Sequence, residues 1–166
     1  MTLDCYHTNR PVTQRGDNDD VLATVCSVFE TERWKLDDYV SQWRGLPFYR
    51  QCLAVFDSLI TQVAYKLDPI GTQLIKTPGR LLADRCGDCK SMTVYLASCM
   101  WALGADKVII RFVSLTKEKI YTHVYCIACK GEERYIMDAV ERDKNKNFVF
   151  NWARPFVHKK DFVYER

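Results

Sequence analysis

A helix is predicted to begin within the segment Arg85-Cys86-Gly87-Asp88-Cys89-Lys90-Ser91, because apolar residues at helical spacing follow it directly. The rest of the fold is arranged around this helix. Asp88 is placed to cap the first turn of that helix, and Gly104 lies at its other end. Cys89 then lies in the first turn, where unpaired backbone N–H groups and the positive end of the helix dipole favour a thiolate. The same N–H groups can donate to a developing oxyanion, so this is where a nucleophilic thiol is expected.

Upstream of this segment the spacing of apolar residues predicts helices. Residues 1–20 are polar and are expected to form an arm or loop. Three helices are then predicted, over Val21–Phe29, Leu36–Trp43 and Tyr49–Leu67. Residues 70–88 contain a Pro-Gly pair and are expected to be extended or looped.

Downstream of the central helix the period of the apolar residues changes to that of strands. The strand candidates are Val108–Leu115, Tyr121–Ala128 and Arg134–Val140, with edge strands expected in Phe148–Trp152 and Phe156–Tyr164. Helices followed by strands predict an α+β domain, in which the central helix packs on an antiparallel sheet.

A histidine and an aspartate in two of these strands are predicted to meet. Lys130-Gly131 is the expected two-residue hairpin turn, because Gly readily adopts the positive φ that tight turns require. A hairpin centred there places Asp138 directly opposite His123, on the same face of the sheet. A slip of one residue would place them on opposite faces. The other two histidines, His7 and His158, are expected at the surface.

The three residues together suggest a nucleophile, a base and an orienting acid. Asp138 would hold one tautomer of His123, and His123 would take the thiol proton of Cys89. Cys89 would then attack a carbonyl carbon and form a thioester.

Length and charge limit the classes of function. The chain has 166 residues, enough for a single domain over residues 1–166. Its net charge of +3 is too mild to indicate a nucleic-acid partner. The apolar runs are too short for a bilayer span, and the N-terminus lacks the layout of a signal peptide. A cytoplasmic protein with no membrane partner is therefore expected.

The eight cysteines leave two other interpretations open. Cys86/Cys89 and Cys126/Cys129 form two Cys-x-x-Cys pairs that could hold zinc, although a regular strand would turn Cys126 and Cys129 to opposite faces. The first pair precedes a helix, as redox pairs do, and could form a reversible disulfide. No acidic loop typical of calcium sites is present, so no metal or cofactor is expected.

The motifs in order resemble the transglutaminase-like superfamily. They are Gly87-Asp88-Cys89 before an apolar helix, then Thr122-His123-Val124-Tyr125, then Met137-Asp138-Ala139. The resemblance covers roughly residues 48–141 and is strongest to small bacterial and phage-encoded members.

The resemblance implies a papain-like core in which Cys89, His123 and Asp138 are catalytic. It also implies a second oxyanion donor, for which Gln73 and Trp43 are candidates. The implied reaction is acyl transfer on an amide bond of a peptide or protein, with hydrolysis favoured over transamidation. An inactive binding domain on the same fold remains an alternative, and substrate identity and oligomeric state stay open.

Overall fold

The computed structural model describes residues 9–12, 18–69, 72–142, 145 and 147–166. The chain folds as an α+β protein with an antiparallel sheet, which confirms the predicted fold class. The helices are α1 (Asn18–Glu32), α2 (Asp37–Val40) with a 3-10 turn (Ser41–Trp43), α3 (Phe48–Gln62), α4 (Pro78–Asp84) and α5 (Cys89–Ala102). The strands are β1 (Asn9–Val12), β2 (Ala64–Tyr65), β3 (Gln73–Lys76), β4 (Cys86–Gly87), β5 (Lys107–Ser114), β6 (His123–Lys130), β7 (Glu133–Met137) and β8 (His158–Glu165).

The main sheet has the strand order β7-β6-β5-β8, and each neighbouring pair is antiparallel. Helix α5 packs on β5 and β6 and is covered by α1, α3 and α4. It is therefore buried on nearly every side, as its predominantly apolar sequence favours. One hydrophobic core runs from Leu22 in α1 to Ala139 after β7, so α1 belongs to the core as fully as the later helices do.

The hairpin turn lies one residue further along than predicted. Lys130 pairs with Glu133, so the turn residues are Gly131 and Glu132 rather than Lys130 and Gly131. Gly131 takes the positive φ of 56°, and Asp106 Oδ2 accepts its N–H at 2.8 Å. His123 is therefore not directly opposite Asp138. Moving the turn by one residue changes each partner by two positions, however, so both side chains keep the predicted face.

Four other elements differ from the prediction. Residues 9–12, expected in an arm, form β1 and pair with β3, while residues 1–8 and 13–17 lie outside the described part. Helix α3 ends at Gln62 rather than Leu67, because β2 pairs with β4. Residues 70–88 contain a helix, α4, whose first turn is capped by the Thr77 hydroxyl.

The expected strand over Phe148–Trp152 does not form. One isolated bridge joins Phe148 to Arg142, and the backbone N–H of Asn151 donates to the carbonyl of Ile136 at 3.0 Å. The Phe150 ring packs against Tyr49, Phe56 and Tyr135, with ring centroids 5.5 to 5.9 Å apart. Within the described residues, no helix has both the length and the apolar character that crossing a bilayer demands.

Candidate active site

The predicted nucleophile lies at the start of the central helix. Cys89 is the first residue of α5, and Asp88 is its N-cap, as expected. The Asp88 carboxylate accepts the backbone N–H of Lys90 at 3.1 Å and that of Ser91 at 3.4 Å. Gly87 is needed before the cap, because a Cβ there would lie 2.4 Å from a side-chain carbon of Leu81. Close packing thus accounts for Gly87, and helix capping accounts for Asp88.

The predicted histidine and aspartate form a buried hydrogen-bonded pair. His123 Nε2 lies 2.6 Å from Asp138 Oδ2, and the Asp138 side chain is almost fully buried. The other carboxylate oxygen, Oδ1, accepts the backbone N–H of Val140 at 3.2 Å, which fixes the carboxylate in position. His123 begins β6, and Asp138 follows directly after β7, so the end of the hairpin brings the two side chains together.

The pKa of His123 depends on both neighbours. Burial alone lowers it, but hydrogen bonds to Asp138 and to Cys89 outweigh burial and raise the pKa to about 10. The imidazolium form is therefore favoured at neutral pH. Because Asp138 occupies Nε2, Nδ1 is the ring nitrogen that remains for the thiol of Cys89. The structure thus brings all three predicted site residues together.

A second charged group, the ammonium of Lys90, lies at the same cavity as the thiol, and the sequence analysis did not predict it. The Lys90 ammonium contacts the Asp88 carboxylate and lies 3.4 Å from Asp68 Oδ2. The two carboxylates outweigh the effect of burial and raise the pKa of Lys90, which therefore stays charged. Asp68 Oδ2 also accepts the backbone N–H of Leu74 at 2.8 Å. Lys90 therefore ties the helix start to the segment that leads into β3. In the sequence, Asp68 directly precedes Pro69 and therefore indicates the end of a helix; it does not indicate an ion pair with Lys90.

An open cavity of about 440 Å³ lies over Cys89 and His123. Gln73 lines this cavity, whereas Trp43 packs on Tyr39 and borders a different cavity, which removes Trp43 as an oxyanion donor. The rest of the wall is largely apolar and includes Val21, Tyr65, Leu67, Phe112, Ile120 and Val124.

The four paired cysteines do not gather into a metal site. Over the described ranges, the one group with suitably close ligand atoms is His123, Asp138 and Glu141, and Arg154 binds the Glu141 carboxylate at 2.5 and 2.9 Å. Cys126 is buried in the main core, while Cys129 packs on the opposite face of the sheet. The zinc interpretation is therefore not supported.

Comparison with known proteins identifies the fold. Calcium-bound LapG of Legionella pneumophila, a transglutaminase-like cysteine protease, superposes with a TM-score of 0.57 and 19% identity, over 90% of this chain and 88% of LapG. A candidate cysteine protease of Cytophaga hutchinsonii superposes with a TM-score of 0.53 and 13% identity, over 95% of this chain and 63% of that one. The chain has a papain-like, transglutaminase-like fold.

The papain-like fold is not accompanied by a sequence match. Neither the protein-family models nor the curated proteins return one. At identities below 20%, the structural likeness describes the arrangement of the helices and the sheet. The chemistry has to be argued from this chain's own residues.

Proposed function

We propose that this protein is a cysteine-dependent hydrolase of amide bonds in peptides or proteins. The observation that supports the proposal is the buried His123–Asp138 hydrogen bond beside a thiol at the start of a helix. The cysteine-protease neighbours agree with this class of reaction.

The proposed reaction begins from an ion pair. With the His123 pKa raised to about 10, the imidazolium is the resting form, and it favours Cys89 as the thiolate. The sulfur forms a bond to the carbonyl carbon, and the carbonyl electrons move onto oxygen. The C–N bond then breaks as Nδ1 of His123 gives its proton to the leaving amine, which leaves a thioester. His123 next takes a proton from water, whose oxygen displaces the sulfur and regenerates the thiolate.

Two groups are placed to stabilise the oxyanion. Asp88 accepts the N–H groups of Lys90 and Ser91, so its cap does not engage the N–H of Cys89. We assign that N–H as the first donor, supported by the positive end of the α5 dipole. The side-chain amide of Gln73, which lines the same cavity, is the proposed second donor.

The cavity walls favour a particular kind of substrate. Leu67 and Ile120 are large apolar residues that remain exposed at the cavity, and Phe112 lies in its wall. A peptide that places an apolar side chain beside the scissile amide would cover this surface.

One of the LapG structures is calcium-bound, and this chain does not fit such a site at its nucleophile. Calcium takes about six to eight oxygen ligands. Beside Cys89, the space between the carboxylates of Asp68 and Asp88 is filled by the ammonium of Lys90. The proposed reaction therefore contains no calcium step.

The test is digestion of a mixture of peptides by the full chain, with new ends identified by mass spectrometry. The proposal predicts new carboxyl ends, enriched beside apolar residues, that disappear with Cys89→Ala. A primary amine added to the same digest reports transamidation, because the amine would resolve the thioester in place of water. Activity that persists in Cys89→Ala would overturn the proposal.

A further inference from the structure

A second cavity, of about 470 Å³, lies at the opposite end of α5 from Cys89. A helix of 14 residues separates the two cavities by roughly 20 Å. The residues around the second cavity include four cations and one carboxylate, namely Arg33, Arg44, Lys130, Arg166 and Asp37. Arg44 pairs with Asp37 at 2.6 Å. The other three cations at the cavity are Arg33, Lys130 and Arg166.

Among the described residues, no carboxylate pairs with Arg33. Its guanidinium carbon lies 4.5 Å from the centre of the Trp101 ring and 5.0 Å from that of Trp34. These cation–π contacts hold the side chain without neutralising it. Arg111 offers a contrast, because it makes two hydrogen bonds to Asp161, at 2.8 and 2.7 Å. Arg33 is thus oriented as a binding group and lacks the anion that such a group normally meets.

Polar atoms without partners concentrate around this cavity. Across the described ranges, four buried side-chain polar atoms lack a hydrogen bond, and three of them belong to lining residues: Arg33 Nε, Gln51 Oε1 and Trp101 Nε1. Gln51 and Trp101 are themselves at least nine-tenths buried. Unsatisfied buried polar groups are few in folded proteins, so their grouping in one place indicates a site where a polar ligand or water binds.

The helix end is adapted to accept negative charge. The C-terminal end of a helix normally repels anions. Here Arg166 donates a hydrogen bond to the backbone oxygen of Trp101, which offsets the partial negative charge at that end of α5. The Lys130 ammonium also lies over the helix end, 3.9 Å from the position of a Cβ on Gly104. The local field therefore favours an anion.

We infer that this cavity binds a small phosphorylated molecule that carries a flat ring. Arg33, Lys130 and Arg166 would meet the phosphate oxygens, since guanidinium groups and ammonium groups both bind them well. The indole of Trp34, which is 62% exposed, would stack on the ring. This inference does not depend on the proposed hydrolase activity, because it uses none of the residues around Cys89.

The test is calorimetric titration of the full chain with ADP, pyrophosphate and adenosine. We expect saturable binding of ADP and weaker binding of pyrophosphate. Adenosine should not bind detectably, and added salt should weaken ADP binding. Arg33→Met should weaken ADP binding by about tenfold or more. Cys89→Ala should bind ADP as the wild type does.

Two further variants keep the result interpretable. Lys119→Met removes the same charge from an exposed residue that does not line the cavity, and it should bind ADP normally. If Arg33→Met fails to fold, Lys130→Met replaces it, because Lys130 is exposed at the cavity rim. Absence of saturable binding of ADP, or equal loss in Lys119→Met, would overturn the inference. Equal affinity for ADP and pyrophosphate would overturn the part that involves Trp34.

Discussion

Cys86/Cys89 and Cys126/Cys129 have the same spacing, and the fold gives the two pairs different surroundings. Cys89 begins a helix, borders an open cavity and helps to raise the pKa of His123. Cys126 lies in mid-strand between Ile110 and Met137 and is fully buried. Burial raises the pKa of Cys126 well above its ordinary value.

The other members of the two pairs differ as well. Cys86 lies in β4, with its sulfur 3.9 Å from the Lys76 ammonium, so a cation is close to it. Cys129 packs on the outer face of the sheet, where burial raises its pKa. Equal spacing therefore carries little chemical information. The element that holds a cysteine decides whether its thiol reacts or packs.

Removing the imidazole of His123 should have a stronger effect than any other substitution considered below. His123→Ala should lower amide hydrolysis by about 10²- to 10⁴-fold, because the proton donor to the leaving amine is lost. The matched control is His158→Ala, since His158 lies at the start of β8 and bonds to the backbone oxygen of Lys117. Steady-state rates on one cleaved peptide would measure both. Equal rates for His123→Ala and the wild type would refute the assigned role.

The next effect concerns the buried charges beside the first pair. Lys90→Met should lower the free energy of unfolding by about 3 kcal/mol, because it leaves the carboxylates of Asp68 and Asp88 without their cation. Adding Asp68→Asn should restore part of that loss. Urea unfolding of the single and double variants measures both changes. If the double variant were less stable than Lys90→Met, the assigned pairing would be wrong.

A smaller effect depends on pH. The pKa of His123 rises from 6.5 to about 10 on folding, so its stabilising contribution is complete below pH 6.5 and is lost as pH rises toward 10. Asp138→Asn removes the main partner. The wild type should therefore exceed Asp138→Asn in stability by about 2 kcal/mol at pH 6, and by less at pH 10. Urea unfolding at the two pH values gives the difference, and a gap that widens with pH would have the wrong sign.

The smallest effect tests the second pair. Cys126→Ala removes a fully buried sulfur and should cost about 1 kcal/mol of stability, with amide hydrolysis unchanged. Cys86→Ala, at a half-buried position, should cost less. Thermal unfolding and a rate assay measure both variants. A Cys126→Ala variant that folds normally but is inactive would show that Cys126 takes part in the reaction, and the proposed difference between the two pairs would be wrong.

Local sequence patterns predicted the fold class, the position of Cys89 at a helix start and the shared face of His123 and Asp138, but not their exact register. The cap at Asp88 and the helix after it depend on neighbours in sequence, and both are present. The shared face of His123 and Asp138 depends on the two-residue period of strands. The turn is displaced by one residue, which shifts each pairing partner by two positions and so preserves that face.

Features made by contacts between distant residues could not be predicted. Lys90 meets Asp68 from 22 positions away, and Arg33 meets Trp101 from 68 positions away. Helix α4 was missed because Pro78-Gly79 is typical of a loop, although Pro is also common in the first turn of a helix. The Pro78-Gly79 pair therefore fits both a loop and a helix start, and tertiary contacts determine which of the two forms.

We propose that Cys89 is the one reactive nucleophile among the described cysteines. The most direct measurement is the rate of iodoacetamide labelling at each cysteine between pH 5 and 9, by peptide mass spectrometry. We expect fast labelling of Cys89 at neutral pH that slows in His123→Ala, while Cys26 and Cys52, with pKa values raised to about 11 and 12, stay unlabelled. Labelling of Cys89 no faster than that of Cys86 or Cys129, or unchanged in His123→Ala, would show that His123 does not activate Cys89.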